Sequence, residues 1–173
     1  KIEGLLRVRL SSIEAGDVSG QLLDKMAQSK KLCRHLHIPI QSGDDEILEK
    51  MNRRYTFKSY LSLIRRIKAR IPEVSITTDI MVGFPSETEG NFQNTIRLIK
   101  EIIPLKVHIF PYSLRNGTVA SNFREALNPD VVKERISRMK DICENCSLIY
   151  KKQFLNKKMD VLIEGRSKEN PLF

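Results

Sequence analysis

Between Leu5 and Tyr112 the chain repeats one unit: a short stretch of alternating apolar and polar residues, then a stretch with helical spacing. Leu5–Ser12, Arg34–Gln41, Val74–Val82 and Lys106–Tyr112 carry the strand period. Helices are expected over Asp17–Gln28, from Asp44 to about Met51, and over Thr56–Arg70 and Glu87–Ile102. Strands joined by helices at this spacing predict a parallel sheet with right-handed crossovers. An open doubly wound sheet buries both faces of its strands, which then read apolar throughout. Here the strands keep a polar face, so the expected fold is α/β: a partial (β/α) barrel of the TIM type, polar in its lumen and apolar against outer helices.

The most informative stretch is Arg34–Leu48. Leu36, Ile38 and Ile40 alternate with His35, His37 and Gln41, and a polar face of imidazoles and an amide suits a lumen better than open solvent. Gly43 supplies a sharp turn, Ser42 or Asp44 can cap the next helix, and Asp44, Asp45 and Glu46 suit its positive end. Gln41 and Ser42 therefore sit at a strand's C-terminal end, where such folds place their ligands.

Pro129 to about Asn156 reads differently. Val132, Ile136, Met139, Ile142, Cys143, Leu148 and Ile149 form one helical stripe, with Lys133, Arg135, Arg138, Lys140, Lys151 and Lys152 on the other face. Lys157-Lys158 and a strand-like Met159–Glu164 follow. The expected organisation is residues 1–128 as the later half of a barrel, 129–156 as a basic linker helix and 157–173 as the start of a truncated second domain. A net charge of +9 favours a polyanionic partner, RNA or DNA, over the alternative of an ordinary basic enzyme. Three cysteines argue against a disulfide framework and for a reducing, cytoplasmic setting, and no apolar run is long enough to span a membrane.

Several residues invite a chemical role, each beside a plainer one. Cys143-x-x-Cys146 has the spacing of a metal or redox pair, but no second pair accompanies it and a structural role on a helix is preferred. His35, His37 and His108 all fall on inner faces; hydrogen bonding in a polar lumen is preferred to a metal centre, and no metal ligand or catalytic residue is assigned. Asp79, before a Gly83-Phe84-Pro85 turn, suits the two hydroxyls of a ribose, or caps that turn. Gly83 lets backbone approach a flat ligand such as adenine, and Arg53 can meet a ligand carboxylate. Arg7 and Arg9 on an inner face call for an anion or a carboxylate and are candidate substrate or RNA contacts. Lys151, Lys152, Lys157 and Lys158 read as phosphate contacts or as a solvated face. Together these describe a site for a nucleoside joined to an amino acid, beside an RNA-binding tail.

A resemblance then enters. His37-Ile38-Pro39-Ile40-Gln41-Ser42-Gly43-Asp44-Asp45-Glu46-Ile47-Leu48, Met51-Asn52-Arg53-Arg54-Tyr55-Thr56, Thr77–Thr88, Phe110-Pro111-Tyr112-Ser113 and Gly117-Thr118 resemble, in order and spacing, the radical S-adenosylmethionine methylthiotransferases. Leu10–Glu14 and Ser42–Leu48 look most like the subgroup acting on threonylcarbamoyladenosine of tRNA, with the isopentenyladenosine and ribosomal-protein subgroups as close alternatives. The resemblance implies that a methylthio group replaces a ring hydrogen, at C2, of a modified adenosine at position 37 in the anticodon stem-loop. It also implies S-adenosylmethionine and two [4Fe-4S] clusters in the whole enzyme, and a small C-terminal β domain of the TRAM type that binds tRNA.

The CxxxCxxC of the radical cluster is absent from these residues and is expected upstream of Lys1, so the fragment alone should be inactive. By position, the resemblance places Gln41, Ser42, Asp79, Gly83, Phe84, Phe110 and Tyr112 beside the ribose and adenine, and Arg53 by the methionine carboxylate. Ser86 stands where the family usually has Gly, and Leu114 where it often has Pro. The alternatives are an enzyme of the coproporphyrinogen dehydrogenase type and a non-catalytic RNA-binding module.

Overall fold

A computed structural model describes residues 2–114, Gly117, Phe123 and 126–159. A 3₁₀ turn (Ala15–Asp17) and helix α1 (Gly20–Gln28) lead to strand β1 (His35–His37). Helices α2 (Asp45–Lys50) and α3 (Phe57–Arg70), strand β2 (Ser75–Val82), helix α4 (Glu89–Ile102), strand β3 (Lys106–Pro111) and helix α5 (Pro129–Lys152) follow. The strands form one parallel sheet in the order β1-β2-β3, with Leu36 opposite Ile76 and Asp79 opposite His108. The apolar faces are buried as their alternation predicts: Leu36, Ile38, Ile40 and Ile80 are fully inaccessible, packed on Tyr60, Ile64 and Ile67 of α3 and Phe92 and Ile99 of α4.

Local chemistry explains the helix starts. The Asp44 carboxylate accepts from the amides of Glu46 and Ile47, so Asp44, not Ser42, caps α2. Thr56 and Thr88 cap α3 and α4 as capping boxes closed by Ser59 and Asn91.

Three expectations are corrected. Leu5–Ser12 is not a regular strand: only Val8 and Ser12 bridge, in parallel, to Leu32 and His37, and Leu6 is 81% exposed. The neighbouring strand β1 is three residues long, too short to template a ladder along the whole segment. β1 itself is shorter than its alternation predicts because the ladder with β2 breaks after the Ile38 amide, which still reaches Thr77 O at 2.9 Å. Thr78 fills the gap: its Oγ1 accepts from Ile40 N at 3.1 Å and donates to Ile38 O at 2.8 Å, and Tyr60 Oη donates to Ile38 O at 2.7 Å. The ladder resumes at Gln41, which bridges Ile80 with a left-handed φ of 71°. Third, the basic face of α5 is not solvated throughout. Met139, Cys143 and Cys146 enter the barrel core, and Arg135, expected on the solvated face, is 4% exposed. The strand expected over Met159–Glu164 lies, beyond Met159, outside the described residues, as does most of the loop before α5.

Candidate functional site

The polar face of the sheet carries His35, His37, Ser75, Thr77, Asp79, Met81, His108 and Phe110, brought into register by the parallel pairing. Its side chains form a connected chain. Arg9 Nε donates to His35 Nδ1 at 3.1 Å, with Nη2 3.0 Å from Nε2. His35 Nε2 lies 3.0 Å, and His37 Nδ1 2.9 Å, from Thr77 Oγ1. His37 Nε2 is 3.2 Å from Asp79 Oδ2, and His108 Nδ1 is 3.0 Å from Asp79 Oδ1.

One set of protons satisfies every link of the chain except the contact of Arg9 Nη2 with His35 Nε2, where two N–H groups face each other. Burial first, then the Arg9 cation and His37, lowers the His35 pKa to about 4, so its Nδ1 accepts from Arg9 and its Nε2–H donates to Thr77. The Thr77 hydroxyl is then free to donate to His37 Nδ1, whose Nε2–H donates to Asp79. His108 donates to the other carboxylate oxygen, which turns its Nε2 outward from a side chain 41% exposed.

Donor atoms of His37, Asp79 and His108 lie within 4.8 Å of one another, close enough to hold a metal ion. Such an ion would displace the N–H groups that now serve Asp79, and no buried polar atom of the trio lacks a partner among the described residues. The arrangement is a hydrogen-bonded floor in which the Asp79 carboxylate is held between two imidazoles.

The other expected residues fall around this floor unevenly. Phe110 continues the face beside His108, with ring centroids 6.4 Å apart, and is 49% exposed. Gln41 is half-buried at the rim. Arg53 pairs with Glu14 at 3.3 Å, a carboxylate where one from a ligand was expected. Ser42 is 1% exposed, and its hydroxyl serves the turn, taking Asp44 N at 3.2 Å. Phe84 is buried edge-on to Tyr112, centroids 5.4 Å apart. Gly83 has a φ of 81°, and Ser86 holds the left-handed φ of 63° that a glycine would adopt without strain.

Arg9 is engaged with His35, whereas Arg7, Lys151, Lys152 and Lys158 are exposed; Lys157 bonds Glu73 at 2.5 Å. Thr77 and Arg9 complete the chain but escaped sequence reading as members of it. The signal for Thr77 was present, a hydroxyl in register with Asp79 on the same strand face.

The sequence profile described as the Radical SAM superfamily matches residues 3–99. The chain belongs to the radical SAM superfamily. It is 42% identical over 168 residues to the tRNA-2-methylthio-N(6)-dimethylallyladenosine synthase of Alkaliphilus oremlandii, covering 97% of this chain and 36% of that protein. The protein of the same name from Desulfitobacterium hafniense is 43% identical over 170 residues, 98% of this chain and 38% of its own. That from Geobacillus kaustophilus is 40% identical over 167 residues, 96% and 32%. The chain thus spans about a third of the length of these curated relatives. Among solved structures, the radical SAM enzyme coproporphyrinogen III oxidase from Escherichia coli superposes with a TM-score of 0.66 at 15% identity, over 81% of this chain and 32% of that one. Elp3 from Methanocaldococcus infernus does so with 0.53 at 13%, over 93% and 36%. Both likenesses concern the fold, a radical SAM partial barrel.

Radical SAM membership implies S-adenosylmethionine and an iron–sulfur cluster. The chain's cysteines do not fit a cluster. Cys143 and Cys146 are buried on α5 and packed into the barrel core, where Cys146 Sγ donates to the Ile99 carbonyl at 3.7 Å, so both serve the packing of the helix. Cys33 is a lone cysteine ahead of β1. Among the described residues, no helix is long and apolar enough to cross a membrane.

Proposed function

We propose that this chain is part of a tRNA methylthiotransferase that exchanges the C2 hydrogen of N(6)-dimethylallyladenosine, at position 37 in the anticodon stem-loop, for a methylthio group. The observation that carries this is identity of 40–43% to synthases of that name over nearly the whole chain. The nucleoside differs from the threonylcarbamoyladenosine favoured by the Ser42–Leu48 wording. The three relatives described above all carry the dimethylallyl name, so that substrate takes precedence and the other becomes the second reading.

S-adenosylmethionine, when bound with a reduced cluster, supplies the radical. The chain's own residues bind and orient. Asp79, held by His37 and His108, accepts from ribose hydroxyls; Gln41 closes the rim beside it. The Gly83-Phe84-Pro85 turn, with Tyr112 and the half-exposed Phe110, forms the adenine side, and Arg53 turns to the methionine carboxylate. Barrel walls exclude water from a radical that would otherwise abstract hydrogen indiscriminately. Arg7, Lys151, Lys152, Lys157 and Lys158 contact RNA phosphates, and residues 157–173 open the tRNA-binding domain.

The test is mass spectrometry of tRNA nucleosides from cells with and without the full-length gene. Loss of 2-methylthio-dimethylallyladenosine supports the assignment; loss of the methylthio-threonylcarbamoyl nucleoside moves it to the second reading; an unchanged nucleoside profile rejects both. Asp79→Ala in the full-length protein should raise KM for S-adenosylmethionine about tenfold or more, through the lost hydroxyl contacts. Kinetics equal to wild type would remove Asp79 from the cofactor site.

A further inference from the structure

The basic helix reaches into the turn that follows β2. Arg135 of α5, expected at the surface beside Lys133 and Arg138, is 4% exposed. Its Nη1 donates to Glu87 Oε2 and to the Glu87 carbonyl, both at 2.9 Å. The same Oε2 accepts from the Gly83 amide at 3.0 Å. One carboxylate oxygen thus joins α5 to the first residue of the Gly83-Phe84-Pro85 turn.

Contact there leaves no slack. A Cβ on Gly83 would stand 2.6 Å from Val132 Cγ2, also on α5. Arg135 and Arg138 both lie over the Phe92 ring, 5.4 and 5.2 Å from its centroid, and Arg135 Nε is ion-paired with Glu89 Oε2 at 3.4 Å. Apolar side chains of similar volume would anchor a helix as firmly as a buried ion pair. What the pair adds is a defined position for the Gly83 amide, and with it the backbone that carries Phe84 against Tyr112.

We propose that Arg135 is a positioning residue: through Glu87 it fixes the Gly83-Phe84-Pro85 turn, and so couples the basic helix α5 to the cofactor side of the barrel. Only the cofactor part rests on the function proposed above. In the full-length protein with its iron–sulfur content reconstituted, the variants are Arg135→Met, Arg135→Lys, Glu87→Gln and the double change Glu87→Leu with Arg135→Met. The readouts are amide hydrogen exchange over residues 83–87, KM and kcat for S-adenosylmethionine, and the Kd for unmodified tRNA.

Arg135→Met should speed exchange over the turn about tenfold while α3 is unaffected. It should raise KM for S-adenosylmethionine about tenfold, with kcat and the tRNA Kd within about twofold of wild type. Glu87→Gln keeps an oxygen for the Gly83 amide and should show a smaller change, and Arg135→Lys should recover part of the loss. If Arg135→Met fails to fold, the double variant answers, since it removes both charges: a raised KM in a folded protein supports positioning, and a normal KM overturns it. Unchanged exchange over residues 83–87, or faster exchange with an unchanged KM, also overturns it. Should wild type make no methylthio product, the functional reading falls by itself. Exchange then decides alone, faster supporting the positioning role and unchanged rejecting it.

Discussion

Gly43→Ala is expected to cost the protein about 3 kcal/mol or more, at the upper end for overpacking a tight contact. An added Cβ would stand 2.6 Å from Thr95 Cα and 2.9 Å from Asn94 O, with Leu98 Cβ at 3.1 Å, all on α4. Two of these are backbone atoms, so no rotamer change relieves the clash; the turn must back away from the helix. Backing away breaks the bonds that seat it: Gly43 N to Thr95 Oγ1 at 2.9 Å and Asn94 Nδ2 to Asp44 Oδ2 at 2.7 Å. Thermal unfolding should show a melting temperature lower by roughly 6–12 °C. Gly20→Ala is the control, since nothing lies within 4 Å of its new methyl at the start of α1, and it should be neutral or slightly stabilising. A Gly43→Ala protein that melts with wild type would show that the turn and α4 can separate freely, and that this packing does not hold the site's rim.

The second large effect is on acid stability. His35 is 8% exposed, and burial, reinforced by Arg9 and His37, lowers its pKa from 6.5 to about 4. Between those pH values the unfolded chain binds a proton that the folded chain refuses. Stability from His35 is therefore complete above pH 6.5 and is lost as pH falls towards 4. The loss amounts to about 3 kcal/mol. Glu87 works in the opposite sense: burial raises its pKa, so its contribution grows as pH falls, and total stability is a poor readout. The difference between wild type and His35→Gln isolates the imidazole, because the amide can still accept from Arg9 and donate to Thr77 without titrating. Urea denaturation at pH 7 and pH 4.5 should show the wild type losing more stability than His35→Gln. Equal losses would mean that His35 takes up its proton in the folded state, and that the Arg9–Asp79 chain is not ordered as described.

Much of this was legible in the chain of residues. Period-two alternation identified β2 and β3 and the face each one buries, because a strand's side chains must alternate whatever it packs on. Thr56, and Ser42 or Asp44, marked helix starts for a reason confined to a few residues, the unmet amides of a first turn. The motif wording from His37 to Thr118 pointed to the radical SAM superfamily before any geometry was known. Reading failed where the outcome depends on a partner distant in sequence. Leu5–Ser12 alternates like a strand, but a strand exists only along a partner of matching length, and β1 stops at His37. Arg135 looks no different from Lys133 or Arg138 in a helical pattern. It is buried because Glu87, 48 residues earlier, is brought beneath it.

By itself, then, the sequence determined the βα repeat from β1 to β3, the apolar stripes of α3 and α4, the Thr56 cap and the inventory of polar groups on the lumen face, since each follows from neighbours a few positions apart. Only the tertiary structure decided that Arg9, His35, Thr77, His37, Asp79 and His108 form one directed chain, and that a basic helix is pinned to the turn at Gly83. Hydrogen bonds require partners within about 3 Å, and which groups come that close is set by strand register and helix docking, not by spacing along the chain.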